Sequence, residues 1–227
     1  MAEVDAEAGG RTAGRDTGTA RAAAARRGDG RTERGRRTRL RIVDALLELV
    51  DEGVTEFPAD LVAERAGVSR RLVFHHFADM PELVDAAVSR RLEQLAEQIR
   101  PLPEEGSREV RVAALAEQRA RILEWITPTR LTMLRIEDPS PRVRQAAEEI
   151  FADGRRRIAE IFAEELGRLA EDPRALLLDG LDAVTTWGAW HHWRSTGKTP
   201  AQARRVMEQT VLSLLAAADR EPGAARD

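Results

Sequence analysis

Between Thr38 and Ala217 large apolar residues return every three or four positions, without the every-second-residue alternation of a half-buried strand. Aromatic and β-branched clusters are also scarce, so the pattern predicts an all-α protein. A chain of 227 residues with 42% apolar side chains can build one large or two small packed domains. No apolar run approaches the roughly 20 residues that cross a bilayer.

Residues 1–36 fall outside this pattern. They are mostly Ala, Gly, Arg, Thr and Asp, too poor in large apolar groups to offset the entropy of ordering, and are expected to form a flexible tail. Residues 219–227 are expected to be a second one. The tail lacks the apolar stretch of a secretory signal. The net charge of −3 is unevenly spread, with arginine crowding the N-terminal part up to Arg36, Arg37, Arg39 and Arg41. There is no cysteine, which excludes disulfides, thiolate metal sites and cysteine nucleophiles and fits a cytoplasmic location.

Helix punctuation divides the rest. The first helix is expected over Thr38 to Asp51, stopped by Gly53, and a short second one from Pro58 to Gly67. Further helices are expected over Pro81 to Arg100, Ser107 to Ile126, Thr129 to Ile136, Pro141 to Ala170, Pro173 to Ser195 and Pro200 to Ala217. Asp79 with Glu82 and Thr199 with Gln202 have capping-box spacing. Ser140-Pro141, Asp172-Pro173 and Thr199-Pro200 each set a cap before a first-turn proline.

The stretch AERAGVSRRLVFHHF, Ala63 to Phe77, carries the strongest functional signal. A helix-turn-helix needs a small residue where its helices cross, a turn residue tolerant of positive φ, and apolar anchors behind a polar face. Ala63, Gly67, Val68 and Val73 meet those needs, and Ser69 is a helix cap. Arg70 and Arg71 then open the second helix at the end that enters a major groove, where arginine can take guanine O6 and N7 together.

In order and spacing, RIVDALLELVDEG, then DLVAERAGVSRRLVFHHF, then MPELVDAA resemble the TetR family of transcriptional regulators, over roughly Thr38 to Leu95. The resemblance implies an N-terminal three-helix DNA-binding domain, residues 37–82, and a C-terminal helical domain, 83–218, for effector binding and dimerisation. It implies a homodimer that binds a palindromic double-stranded operator, typically as a repressor, and is released by a small-molecule effector. DNA contacts are expected from Ser69, Arg70, Arg71, Leu72, Phe74, His75 and His76, where His76 stands at the family's phosphate-contacting histidine. Two positions depart from the pattern. Phe74 replaces the usual tyrosine and Met80 the usual lysine, so both lose a phosphate contact. Since Lys198 is the only lysine, Arg36, Arg37 and Arg39 are the natural substitutes, on phosphates or reaching a minor groove, with a solvated charge run as the alternative.

In the second domain Val206, Thr210, Val211, Leu214 and Leu215 surround more than one face of the last helix, suggesting a partner helix or a central position in its own domain. Trp125, Met133, Phe151, Phe162, Trp187 and Trp190 are candidate walls of an effector cavity, which would favour a mostly apolar ligand. Trp187, Trp190 and Trp193, large aromatics at helical spacing, read first as core or interface. There is no phosphate loop, GxSxG elbow, HExxH motif or tyrosine, so neither an enzyme nor a metal or cofactor site is expected. The competing reading is a ligand- or partner-binding dimer of the same fold that has lost operator binding.

Overall fold

The computed structural model describes the backbone over residues 16–135 and 140–220, and side chains from Thr32 onward except at Arg142. Expectations for residues 1–15, Ile136 and 221–227 lie outside the described residues. The described chain forms α1 (Asp16–Asp51), α2 (Ala59–Ala66), α3 (Arg70–His76), α4 (Met80–Gln98), α5 (Arg108–Met133), α6 (Pro141–Ile161), α7 (Ala163–Gly167), α8 (Glu171–Val184), α9 (Trp187–Ser195) and α10 (Pro200–Ala218), with no strand among these residues.

Helix α1 begins well before Thr38, within the stretch expected to be a flexible tail. Missing apolar groups argue against core burial but not against helix. Alanine and arginine favour helix, and extending an existing helix avoids the cost of nucleation. Glu33 reinforces the segment by accepting from Arg36 and Arg37 one turn later.

The helices enclose two cores. The first joins Ile42, Leu46 and Leu49 of α1 to Val62 and Ala63 of α2, Val73 of α3, Phe77, and Leu83 and Ala87 of α4. The expected boundary at 82/83 therefore cuts through α4, whose first turns belong to this core. The second core gathers Leu115 and Leu123 of α5, Ile158, Phe162, Leu181, Trp190, and Met207, Val211 and Leu215 of α10. α4 joins them, packing on α1 as well as on α5 and α6. At the joint Arg91 of α4 is buried, its Nη2 donating to Asp51 Oδ1 at 2.6 Å at the end of α1. Its guanidinium lies 4.6 Å above the Trp125 ring of α5.

Several helix limits differ from expectation for local reasons. α5 continues through Pro128, merging the two helices expected over Ser107 to Ile126 and Thr129 to Ile136. Thr127 Oγ1 bonds the Leu123 carbonyl at 2.6 Å and accepts Trp187 Nε1 at 3.0 Å, so neighbouring groups hold the turn where proline lacks its donor. The long helix expected over Pro141 to Ala170 breaks at Phe162, which leaves helical geometry with its side chain fully buried. The helix expected over Pro173 to Ser195 breaks at Thr185 and Thr186. Thr185 Oγ1 turns back to the Leu181 carbonyl, while Thr186 caps α9 by accepting from Ala189 N. Ala170, not Asp172, precedes α8, and Pro173 still lies in the first turn, where no intrahelical donor is lost. The caps at Ser140 and the capping box of Thr199 with Gln202 form as expected.

The second core also encloses a charge network. Arg111 and Glu165, both buried, meet at 2.6 Å between Arg111 Nη2 and Glu165 Oε1, and Arg108 Nε adds a contact at 3.3 Å to the same oxygen. Burial pushes the Glu165 carboxyl up, but donors from Arg111 and Arg108 outweigh it and hold it below its ordinary value. The stabilisation is thus present above the unfolded value of 4.5 and is lost as pH falls below it. Glu165→Ala, which leaves Arg111 buried and unpaired, should cost about 3–5 kcal/mol in urea unfolding at neutral pH. Its deficit against the parent should shrink as pH drops below that value.

Candidate nucleic-acid interface and internal cavity

The turn between α2 and α3 is built as the residues require. Gly67 takes φ 61°, ψ 41°, a left-handed conformation that a β-carbon would strain. The backbone N–H groups of Gly67 and Val68 then close back on the carbonyls of Glu64 and Ala63 at 3.1 and 2.9 Å. Ser69 starts α3 by accepting from Leu72 N at 3.2 Å. Val73 and Phe77 anchor α3 in the core, leaving Arg70, Arg71, Phe74 and His75 on its exposed side and Leu72 and His76 half-buried.

These outward residues are held differently. Arg70 reaches back to Asp60 of α2 at 2.8 Å, with both side chains largely exposed, and its guanidinium lies 5.6 Å from the Phe74 ring. Arg71 has no hydrogen-bond or charge partner among the described residues and projects into solvent. Burial first, then the charges of His75 and Arg39, pushes the His76 imidazole below its ordinary value. His75 and His76 meet edge to face.

The three flanking arginines do not act alike. Arg36 and Arg37 stay exposed and share Glu33, a pairing of little energetic weight at a surface. Arg39 turns inward. It donates to the His76 carbonyl at the end of α3, reaches Glu82 of α4 at 3.3 Å and lies 3.9 Å over the Phe77 ring. It therefore ties three helices together, which removes its guanidinium from the expected free basic cluster. Met80 packs against the first core at the start of α4. The N–H groups at that helix start are met by the chain's own carboxylates: Asp79 accepts from Glu82 N at 2.8 Å, and Glu82 from Ala78 N at 2.7 Å. The bond to Ala78, one residue before the cap, replaces the reciprocal bond of a capping box.

Between α4, α5, α6 and the α8–α9 junction lies a cavity of about 140 Å³. Val88, Leu92 and Leu95 of α4 form one wall and Ile122, Leu123 and Ile126 of α5 another. Of the expected wall residues, Met133, Phe151 and Trp187 line it, and Trp125, Phe162 and Trp190 do not. Trp125 carries Arg91, Phe162 is core, and Trp190 is fully buried with Nε1 donating to Glu124 at 2.9 Å. Arg119, Thr129 and Arg130, absent from the expected walls, also line the cavity. Arg119 and Arg130 stand eleven positions apart in an otherwise apolar stripe of α5, the one available signal.

Among the described residues no cluster of His, Asp or Glu could hold a metal ion, and no helix is long and apolar enough to cross a membrane. Residues 42–87 match the family model of bacterial regulatory proteins, tetR family. Comparison with curated proteins gave no match. Among solved structures, a tetR-family transcriptional regulator from Streptomyces coelicolor superposes with a TM-score of 0.63 at 18% identity, covering 82% of this chain and 84% of that one. A protein of Mesorhizobium loti MAFF303099 assigned to the same family gives 0.57 at 17% identity, covering 81% and 98%. Residues 42–87 are thus similar to the N-terminal domain of bacterial regulatory proteins of the tetR family, and the chain shares the fold of these two solved structures.

Proposed function

We propose that the protein is a cytoplasmic repressor that binds a palindromic operator as a homodimer and is released by a small ligand in the cavity. In this reading each subunit inserts Ser69 to His76 into a major groove, Arg36 and Arg37 meet flanking phosphates, and bound dimer excludes polymerase. The observation that carries it is the N-terminal end of α3, exposed behind a positive-φ turn and presenting an unpaired Arg71. Arg70 can follow, because its surface pair with Asp60 is weak enough to exchange for a base edge or phosphate.

The dimer is supported by a second stripe on α10. Ala203, Met207, Val211 and Leu215 fill the protein's own core, while Val206, Thr210 and Leu214 stay half-buried beside them. Leu214 lies over Gly180 of α8, and one turn before Gly180 the Leu176 side chain is 72% exposed. Together they form an apolar strip across α8 and α10. Release is supported by α4, which walls the cavity with Leu92 and Leu95 and fixes the first core with Leu83 and Ala87.

One feature favours the competing reading, a ligand-binding dimer without operator affinity. The start of α4 is occupied by Asp79 and Glu82, so a phosphate there would meet negative charge. Arginine substitutions separate the two. Arg71→Ala should weaken operator binding by about 1–3 kcal/mol and relax preference at one base position, with the melting temperature unchanged. Arg39→Ala should instead lower the melting temperature, as it frees the α3 carbonyl end and Glu82. Fluorescence anisotropy on operator and unrelated duplexes reads the first and circular dichroism the second. Equal, weak binding to all duplexes before and after Arg71→Ala would favour the competing reading.

The dimer has its own test. Leu214→Glu should give monomers in sedimentation with helical content retained and palindrome binding lost, since a charge there cannot be desolvated against a partner. A stable dimer that still binds the palindrome would remove this strip from the interface.

A further inference from the structure

Cavities lined by aliphatic side chains stay neutral unless charge has a use there, because an unpaired buried cation is costly. This cavity carries Arg119, Arg130 and Arg157 against a single carboxylate, Asp182. Asp182 is shared with Arg155 at 3.9 Å, so the surplus is cationic. The two arginines of α5, eleven residues apart, share a face and sit about 16 Å apart along the axis, one toward each end of the cavity.

The two ends are not equivalent. Arg119 has an acceptor in the Gly154 carbonyl at 3.4 Å, and the Asp182 charge acts on it. Arg130 has no hydrogen-bond or ion-pair partner among the described residues. Its guanidinium lies 5.6 Å from the Phe151 ring and 5.3 Å from the Trp187 ring, and its Nε is buried with no acceptor. The neighbouring Thr129, also lining the cavity, has a buried hydroxyl without a partner. Burial pulls the Arg130 guanidinium below its ordinary value, and no paired charge opposes it. Two adjacent buried donors without acceptors, at the end of an apolar chamber, define the chemistry of what would satisfy both.

We propose that the cavity takes an amphipathic monoanion, whose carboxylate-type head pairs with Arg130 beside Thr129 and whose ring-sized apolar body lies along Ile122, Ile126 and the α4 wall. The size fits, since a dry cavity of about 150 Å³ holds a benzene ring. Phe151 and Trp187 keep the guanidinium plane oriented, and the water-poor wall strengthens its hydrogen bonds to the head. The inference rests on the effector reading given under Proposed function and adds the ligand's charge class to it.

Three probes of one shape test it by calorimetry on the full chain at pH 7.5: 3-phenylpropionate, 3-phenylpropan-1-ol and 3-phenylpropylamine. The carboxylate should bind roughly tenfold to a hundredfold more tightly than the alcohol, as for a hydrogen bond to a charged group, and the amine should not bind. Arg130→Met should abolish the difference between carboxylate and alcohol while the alcohol still binds, and Arg130→Lys should retain part of it. The empty Arg130→Met protein should melt no lower than the parent, whereas a structural role would lower its melting temperature. Equal affinities for carboxylate and alcohol, preference for the amine, binding of none of the three, or a carboxylate preference that survives Arg130→Met would each overturn the proposal. Operator release is scored separately. Carboxylate preference without release leaves the ligand class standing and defeats the regulatory reading, while release by the alcohol with no carboxylate preference does the reverse.

Discussion

The buried guanidinium of Arg91 is the contact on which the arrangement of the two cores depends. It sits on α4, holds Asp51 at the end of α1 and covers the Trp125 ring on α5, so one side chain touches an element of each core and the helix between them. A buried arginine with a half-exposed carboxylate partner adds little net stability compared with an apolar side chain of its size. Its contribution is positional. It stands where α4 leaves the first core, beside the packing of α4 on α1, α5 and α6.

That position connects the cavity to the outward face of α3. α4 lends Leu92 and Leu95 to the cavity wall and Leu83 and Ala87 to the first core, while its Glu82 holds Arg39, which holds the end of α3. Under the proposed function, a ligand and an operator that favour different placements of α4 would weaken each other's binding by the same factor. The cationic surplus at Arg119 and Arg130 fits such a device. In that reading, filling the cavity shifts α4 only as far as the ligand pairs better with Arg130 in one placement of α4 than in the other.

The legible parts of the sequence were those whose cause is local. Gly67 must take positive φ, Ser69 must cap and Ala63 must be small, and these needs fall within a few residues of one another. The less legible parts depend on partners far along the chain. Arg39 belongs to a basic run in sequence, yet its fate is set by the His76 carbonyl and Glu82, brought close only by folding. Pro128 looks like a helix end until Trp187 is seen holding Thr127. The paired threonines at 185 and 186 were a readable break signal, outweighed by the strong helical pattern on both sides. Aromatic content points to Trp125, Phe162 and Trp190 as cavity walls, whereas the arginines that line the cavity carry no signal of that kind.

Under the proposed function, two copies of α3 read DNA together. Selection of bound duplexes from a random pool, using the full chain at physiological salt, tests it most directly. Two-fold symmetry with one α3 per half-site requires an enriched inverted repeat whose half-sites are centred about 10 base pairs, or a multiple of one turn, apart. An enriched palindrome with that spacing is the predicted result. A pool that stays random, or that converges on a single half-site without its inverted mate, would contradict the account.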